Sequence, residues 1–161
     1  MMIFDVDETL RPDRKPVSPA IAARLRAIGR MAELSLISGK DASFVLPLGG
    51  LDVDEVLSFA ESAVCSEDGL YVSAHAGMVD IIPISLGKGY FIEYLEKAGY
   101  PREGLVAVGD GENDIPMLSR AGFSVTFDAS LDIVKEAADL VVSDIREAFD
   151  VVERIARYSG R

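Results

Sequence analysis

Basic residues are scarce in this chain: 16 Lys and Arg stand against 27 Asp and Glu, a formal net charge of -11. Such a balance provides no basic face for nucleic acid or an anionic membrane, so neither is expected as a main partner. It leaves room for a phosphate-bearing substrate, since a few local cations and a metal ion can make an attractive pocket on an acidic protein. Cysteine is nearly absent too. Cys65 stands alone, which excludes an internal disulfide framework and a cysteine metal cluster. No apolar run approaches the roughly 20 residues needed to cross a bilayer. The first residues, Met-Met-Ile-Phe-Asp-Val-Asp, carry neither the basic start nor the apolar stretch of a signal peptide. The expectation is a soluble, cytoplasmic protein.

What is present reads as globular: 49% apolar and 27% charged residues, interspersed along 161 positions. That length suits one domain spanning residues 1–161. The dominant rhythm is a short apolar run, a turn, then an amphipathic helix. Strands are predicted at Met2–Phe4, Leu34–Ile37, Ala63–Cys65, Leu105–Val108, Phe123–Val125 and Leu140–Val142. Helices are predicted at Ser18–Met31, with Ser18 as N-cap and Pro19 in the first turn, and at Asp52–Ala63. Further helices are predicted at Lys88–Ala98, Asn113–Ala121, Leu131–Ala138 and Ile145–Tyr158. Leu70–Val72 and Val79–Ile84 are expected to pair as a hairpin across Ala74-His75-Ala76-Gly77. Helices between short, continuously apolar strands imply an α/β fold: three Rossmann-like α/β/α layers around a mostly parallel sheet.

Ligands of such sheets bind at the carboxyl ends of the strands, where this chain concentrates polar chemistry. Asp5 and Asp7 follow the first strand and, alternating on an extended segment, can face one site. One carboxylate can attack phosphorus, while its neighbour protonates the leaving oxygen and later activates water. Paired acids also suit magnesium, although Asp and Thr are common in plain turns after strands. Ser38, with the Gly39 amide, can hold a phosphoryl oxygen at a strand-to-helix turn or simply cap a helix. Lys88 opens a helix, where its charge opposes the dipole; neutralising a transferring phosphoryl group would explain it. In Gly109-Asp110-Gly111-Glu112-Asn113-Asp114, four acidic or amide side chains in five positions suggest a metal loop. It is not an EF-hand, whose sixth position is Gly and twelfth Glu, here Ile115 and Ala121. Asn113 can also cap the helix that follows.

In this order, Asp5-x-Asp7-x-Thr9, Ser38, Lys88 and Gly109-Asp110-x-x-x-Asp114 resemble the four motifs of the haloacid dehalogenase (HAD) superfamily. Gly-Asp-Gly-Glu-Asn-Asp followed by Ile-Pro-Met-Leu is similar to its Cof-type branch, which includes archaeal phosphoglycolate phosphatases and sugar phosphatases. The resemblance implies a magnesium-dependent phosphatase of a small phosphorylated metabolite, working through an aspartyl-phosphate. Asp5 would be the nucleophile, Asp7 the acid/base, and Lys88 the stabiliser of phosphoryl charge. Thr9, Ser38, Gly39 and Asn113 would bind the phosphoryl group. Magnesium would be held by Asp5, the Asp7 backbone carbonyl, Asp110 and Asp114. Many relatives have Gly where this chain has Glu8.

The resemblance also points to something missing. Cof-type relatives carry a cap domain between the serine and lysine motifs, yet only 50 positions separate Ser38 from Lys88 here. Residues 66–84 are therefore expected to form a reduced cap-site hairpin, with His75 as a turn residue on it. A homo-oligomer, dimer or tetramer, would then supply the lid. Phosphoryl transfer to another acceptor, as in a mutase, is the alternative activity, and a catalytically silent phosphate- or protein-binding relative the alternative class. A receiver domain is excluded, since its lysine falls near the domain end whereas Lys88 precedes the Asp110 loop.

Overall fold

Met2, Ile3 and Phe4 are apolar without a break, so a strand made of them must be covered on both faces. β1 (Met2–Asp5) meets that demand, with all four residues buried. The computed structural model describes residues 1–12, 15–38, 55–58, 70–75, 78–83 and 87–159, and sets β1 inside the sheet. β2 (Leu34–Ser38) and β6 (Val106–Val108) flank it, Met2 lying beside Leu34 on one side and Val106 on the other. β3 (Glu55–Ser58) adds to β2, while β7 (Phe123–Phe127) and β8 (Leu140–Val142) extend the other wing. The order is β3-β2-β1-β6-β7-β8, and every pair is parallel. β4 (Leu70–His75) and β5 (Met78–Pro83) pair antiparallel in a separate two-stranded sheet, His75 opposite Met78.

The helices described are α1 (Pro19–Gly29), α2 (Lys88–Lys97), α3 (Ile115–Leu118), α4 (Asp132–Glu136) and α5 (Ile145–Ser159). Successive strand residues point to opposite faces, and each face has its own core. Met2, Phe4, Leu36 and Val108 pack toward Leu25 and Ile28 of α1 and Phe149 and Val152 of α5. Phe4 meets Phe149 with ring centroids 5.5 Å apart. Ile3, Ile37 and Ala107 pack toward Phe91, Ile92 and Leu95 of α2 and Met117 of α3. Each of the larger fully buried side chains contributes about 1.5–3 kcal/mol. The result is the expected three-layer α/β/α fold. Ser18 caps α1 as anticipated, its Oγ accepting from the Ile21 amide at 3.3 Å, with Pro19 in the first turn.

Two helices differ from expectation. The stretch Asp52–Ala63 was expected to be helical, yet Glu55–Ser58 is strand β3, paired with β2 from Ser35↔Glu55 to Ser38↔Ser58. A short apolar run does not separate the two periods, and the open edge of β2 decides the matter by offering a ladder. The helix expected over Asn113–Ala121 shrinks to α3, preceded by a 3₁₀ turn at Glu112–Asp114. The chain must reach β7 quickly there: the amides of Gly122 and Phe123 donate to the Leu105 carbonyl at 3.0 and 3.1 Å. Only glycine allows this approach, because a Cβ on Gly122 would stand 2.2 Å from the Arg102 carbonyl oxygen. The strand expected at Ala63–Cys65, the Ser66–Gly69 stretch and the Ala76-Gly77 turn lie outside the described residues.

Candidate active site

The sheet grows from β1 toward β2 and β3 on one side and toward β6 on the other. Strand order therefore reverses at β1, which opens a crevice between the carboxyl ends of β1 and β6. Asp5 ends β1 and Asp110 follows β6 by two residues, so both stand at that crevice. Asp5 shares the face of Ile3, the face covered by α2, and Lys88 is the first residue of α2. Lys88 Nζ donates to Asp5 Oδ1 and to Asp114 Oδ1, each at 2.5 Å, and all three residues are buried. The lysine that the helix dipole disfavours is thus held by two carboxylates.

Asp114 is clamped from its other oxygen: Oδ2 accepts from the amides of Asp110 and Gly111, both at 3.0 Å. Gly109 makes this possible, because a Cβ there would lie 2.6 Å from the Asp114 carboxyl carbon. Thr9 Oγ1 donates to Asp110 Oδ1 at 2.6 Å and links the loop after β1 to the loop after β6. One carboxylate oxygen each from Asp5, Asp110 and Asp114 lie within 4.8 Å of one another. Three carboxylates against one ammonium leave two formal negative charges, a match for a hard divalent cation with oxygen ligands.

Burial pushes the Asp5 carboxyl up to about 8; the nearby Asp114 and Asp110 charges add to it, and Lys88 only partly offsets it. Burial, opposed by the Thr9 hydrogen bond, also raises Asp110 to about 6. Lys88 is raised: burial favours its neutral amine, but the Asp114 and Asp5 carboxylates outweigh that and keep it an ammonium. A carboxyl whose folded pKa exceeds its unfolded value near 3.8 stabilises the fold at low pH. That contribution disappears as pH rises through about 6 for Asp110 and about 8 for Asp5. Metal-free protein is therefore expected to lose thermal stability between pH 5 and 8, on the order of a few kcal/mol. A cation seated on the same carboxylates would reverse this trend, so the magnesium-induced rise in unfolding temperature should be larger at pH 8 than at pH 6. Thermal scans at both pH values, with magnesium and with chelator, check this; a shift independent of pH would refute it.

Asp7 does not join the three-carboxylate cluster. Its Oδ1 lies 3.2 Å from Arg11 Nε, and its Oδ2 accepts from Ser38 Oγ at 3.2 Å. Period-two alternation would have turned Asp7 the way Asp5 points, but β1 ends at Asp5 and the chain folds back. The Leu10 and Arg11 amides donate to the Val6 carbonyl, and Glu8 adopts φ +65. That left-handed backbone suits glycine, which gives a physical meaning to Gly at this position in relatives. Glu8→Gly is expected to raise stability by about 0.5–1 kcal/mol, read by chemical denaturation. Unchanged or lower stability would show that Glu8 side-chain contacts outweigh the strain.

Ser38 ends β2 and faces this neighbourhood, while Gly39 lies outside the described residues. Asn113, expected to bind the phosphoryl group or else to cap the next helix, is not the cap: Asp114 occupies that position, and Asn113 sits over Gly111, its Oδ1 2.7 Å from where a Cβ would be. His75 is in β4 rather than in a turn. The backbone of β4 runs beside the Glu112–Asp114 turn. Arg11 was not singled out from the sequence, where nothing separates it from surface arginines such as Arg26. A cavity of about 480 Å³ opens beside Glu8, Thr9 and Asp110, walled on its far side by Phe127, Ser130 and Leu131.

Residues 51–153, which include Lys88, Asp110 and Asp114, match the family model described as haloacid dehalogenase-like hydrolase. A phosphoglycolate phosphatase of Aeropyrum pernix is 30% identical over 97 residues, 58% of this chain and 41% of that protein. The chloroplastic endoribonuclease YBEY of Arabidopsis thaliana is 33% identical over 90 residues, 55% of this chain but 15% of that protein. The chain thus spans less than half the length of these curated relatives. Among solved structures, Thermoplasma acidophilum 0175 superposes with a TM-score of 0.73 at 15% identity, covering 97% of both chains. That likeness concerns the fold.

Proposed function

This chain belongs to the haloacid dehalogenase-like hydrolase family, and we propose that it hydrolyses a small phosphate monoester with Asp5 as nucleophile. The observation that carries the reading is the convergence of Asp5, Asp110 and Asp114 on one point, with Lys88 bonded to Asp5 and Asp114, from elements distant in sequence. An Asp5 carboxylate oxygen attacks phosphorus, and the ester P–O bond breaks as its oxygen takes a proton from Asp7. The Asp7 carboxylate then takes a proton from water, whose oxygen attacks phosphorus, breaking the bond to Asp5 and releasing inorganic phosphate. Lys88 neutralises charge on the phosphoryl oxygens, and the Thr9 and Ser38 hydroxyls, which donate to Asp110 and Asp7, hold those acids around the phosphoryl group. Asp5, Asp110, Asp114 and the Asp7 carbonyl would hold magnesium, which supplies electrophilic stabilisation of the phosphoryl group.

The cavity beside Thr9 and Asp110 has room for the organic part of a small substrate, a sugar phosphate or a phosphoglycolate-like acid. In our reading the antiparallel β4–β5 hairpin takes the place of the cap, and a second copy of the chain completes the cover over the site. Transfer to an acceptor other than water would use the same first step, so product analysis separates the two. Purified protein is expected to release inorganic phosphate from at least one small monoester without added acceptor, only when magnesium is present. Failure to release phosphate across a panel of sugar and organic-acid monoesters would refute hydrolysis.

A further inference from the structure

Arg11 is an expensive residue to place where it is. Its side chain is 6% exposed, and a guanidinium taken out of water must be compensated by partners. One partner is Asp7, 16% exposed, through the 3.2 Å contact of Nε with Oδ1. This pairing is built by the backbone rather than by reach. The loop closes on itself, the Glu8 amide donating to the Arg11 carbonyl at 2.7 Å, and Asp7 and Arg11 form a parallel bridge. Ser38, from the end of β2, holds the second Asp7 oxygen at 3.2 Å. The two oxygens of one carboxyl are therefore gripped from two elements, which fixes its plane.

We propose that Arg11 is a positioning residue: it locks the carboxyl plane of Asp7 so that one oxygen meets the ester oxygen leaving phosphorus. The proposal rests on the reading of Asp7 as the acid/base. Aim matters because proton transfer requires the donor within hydrogen-bond reach of the leaving oxygen, and a mispointed carboxyl forfeits that. Arginine suits the task, since its planar fork sets an angle where lysine provides only a point charge.

The test compares two esters. An alkyl phosphate needs its leaving oxygen protonated, whereas p-nitrophenyl phosphate releases a stabilised anion that needs little help. Arg11→Gln is expected to cut the single-turnover rate of alcohol release from the alkyl ester about 100-fold and that of p-nitrophenol release from the aryl ester only severalfold, with KM little changed. Arg11→Lys should retain the native fold and recover only part of the alkyl-ester rate; should Arg11→Gln fail to fold, the lysine variant alone decides. Equal losses on both esters would mean a purely structural role and overturn the proposal. So would a raised KM at constant kcat, which would make Arg11 a substrate-binding cation. Asp7→Asn separates the proposal from its premise. If that variant lacks the leaving-group selectivity, the acid/base reading itself fails; if it has the selectivity and the Arg11 variants do not, only the role of Arg11 fails. Absence of turnover on both esters by the native chain would overturn the two together.

Discussion

Asp5→Asn is expected to lose at least about 10⁴-fold in phosphate release and yet, without magnesium, to unfold at a higher temperature than the native chain. The amide keeps the size of the side chain but cannot form the bond to phosphorus. The stability gain follows from burial of a charge. Burial is what chiefly pushes the Asp5 carboxyl up to about 8, and the nearby Asp114 and Asp110 charges add to it. Near neutral pH the folded native chain must hold a proton on Asp5 that the unfolded chain releases, at a cost in stability. Asparagine removes that cost and leaves Lys88 paired with Asp114. Magnesium should invert the order, stabilising the native chain more than the variant, because one of the three carboxylates of the cation site is gone. Phosphate release together with thermal scans at pH 8, with magnesium and with chelator, reads all of this. A variant that keeps full turnover ends the mechanism, and one less stable than the native chain without metal contradicts the charge argument.

Lys88→Met is expected to do the opposite to stability while also destroying turnover. Lys88 joins Asp5 and Asp114 at 2.5 Å each in a buried pocket, so its removal strands carboxylates that no longer share that ammonium. Removing one partner of a buried ion pair costs about 3–5 kcal/mol, far more than methionine regains by packing along the stem. The loss should be greatest above pH 8, where Asp5 is ionised, and should shrink as pH falls and Asp5 becomes protonated. Magnesium should restore part of it by supplying positive charge to the same oxygens. Turnover should remain at least about 10³-fold low even in magnesium, because phosphoryl charge developing in the transition state loses its fixed cation. Urea denaturation at two pH values with and without the metal measures the first effect, and single-turnover phosphate release the second. Native stability at pH 8 without metal would show that Lys88 does not hold the acids together.

The elements that the sequence foretold best are those whose environment is set by local composition. Met2–Phe4 and the strand before Asp110 are uninterrupted apolar runs, and such runs have one stable home, the middle of a parallel sheet. Ser18-Pro19 marks the start of α1 because its capping bond is local. Glu55–Ser58 read as helix because its strand state depends on the free edge of β2, a partner 20 positions earlier in the chain. Asn113–Ala121 read as one long helix because the contact that ends α3 is Gly122 against Arg102, made by a loop before β6.

The same division runs through the site. Which acids, hydroxyls and lysine face one another is implied by the chain's own order of strands, since strand ends in a parallel sheet share an edge whatever their separation. Asp5 at the end of β1 and Asp110 after β6 follow from that rule, and Lys88 follows from a charge placed against a helix dipole. Where Asp7 points does not follow. Alternation assigns directions only while the chain is extended, and the turn through Glu8 at φ +65 ends it. The resulting grip of Arg11 and Ser38 on Asp7 is a property of the folded loop, because it depends on two backbone segments closing at once. Sequence alone determined the layers of the fold and the chemical types gathered at the sheet edge. Tertiary structure decided their pairing: Asp5 and Asp114 share one buried lysine with Asp110 close beside them, and Asp7 is held apart by a buried arginine.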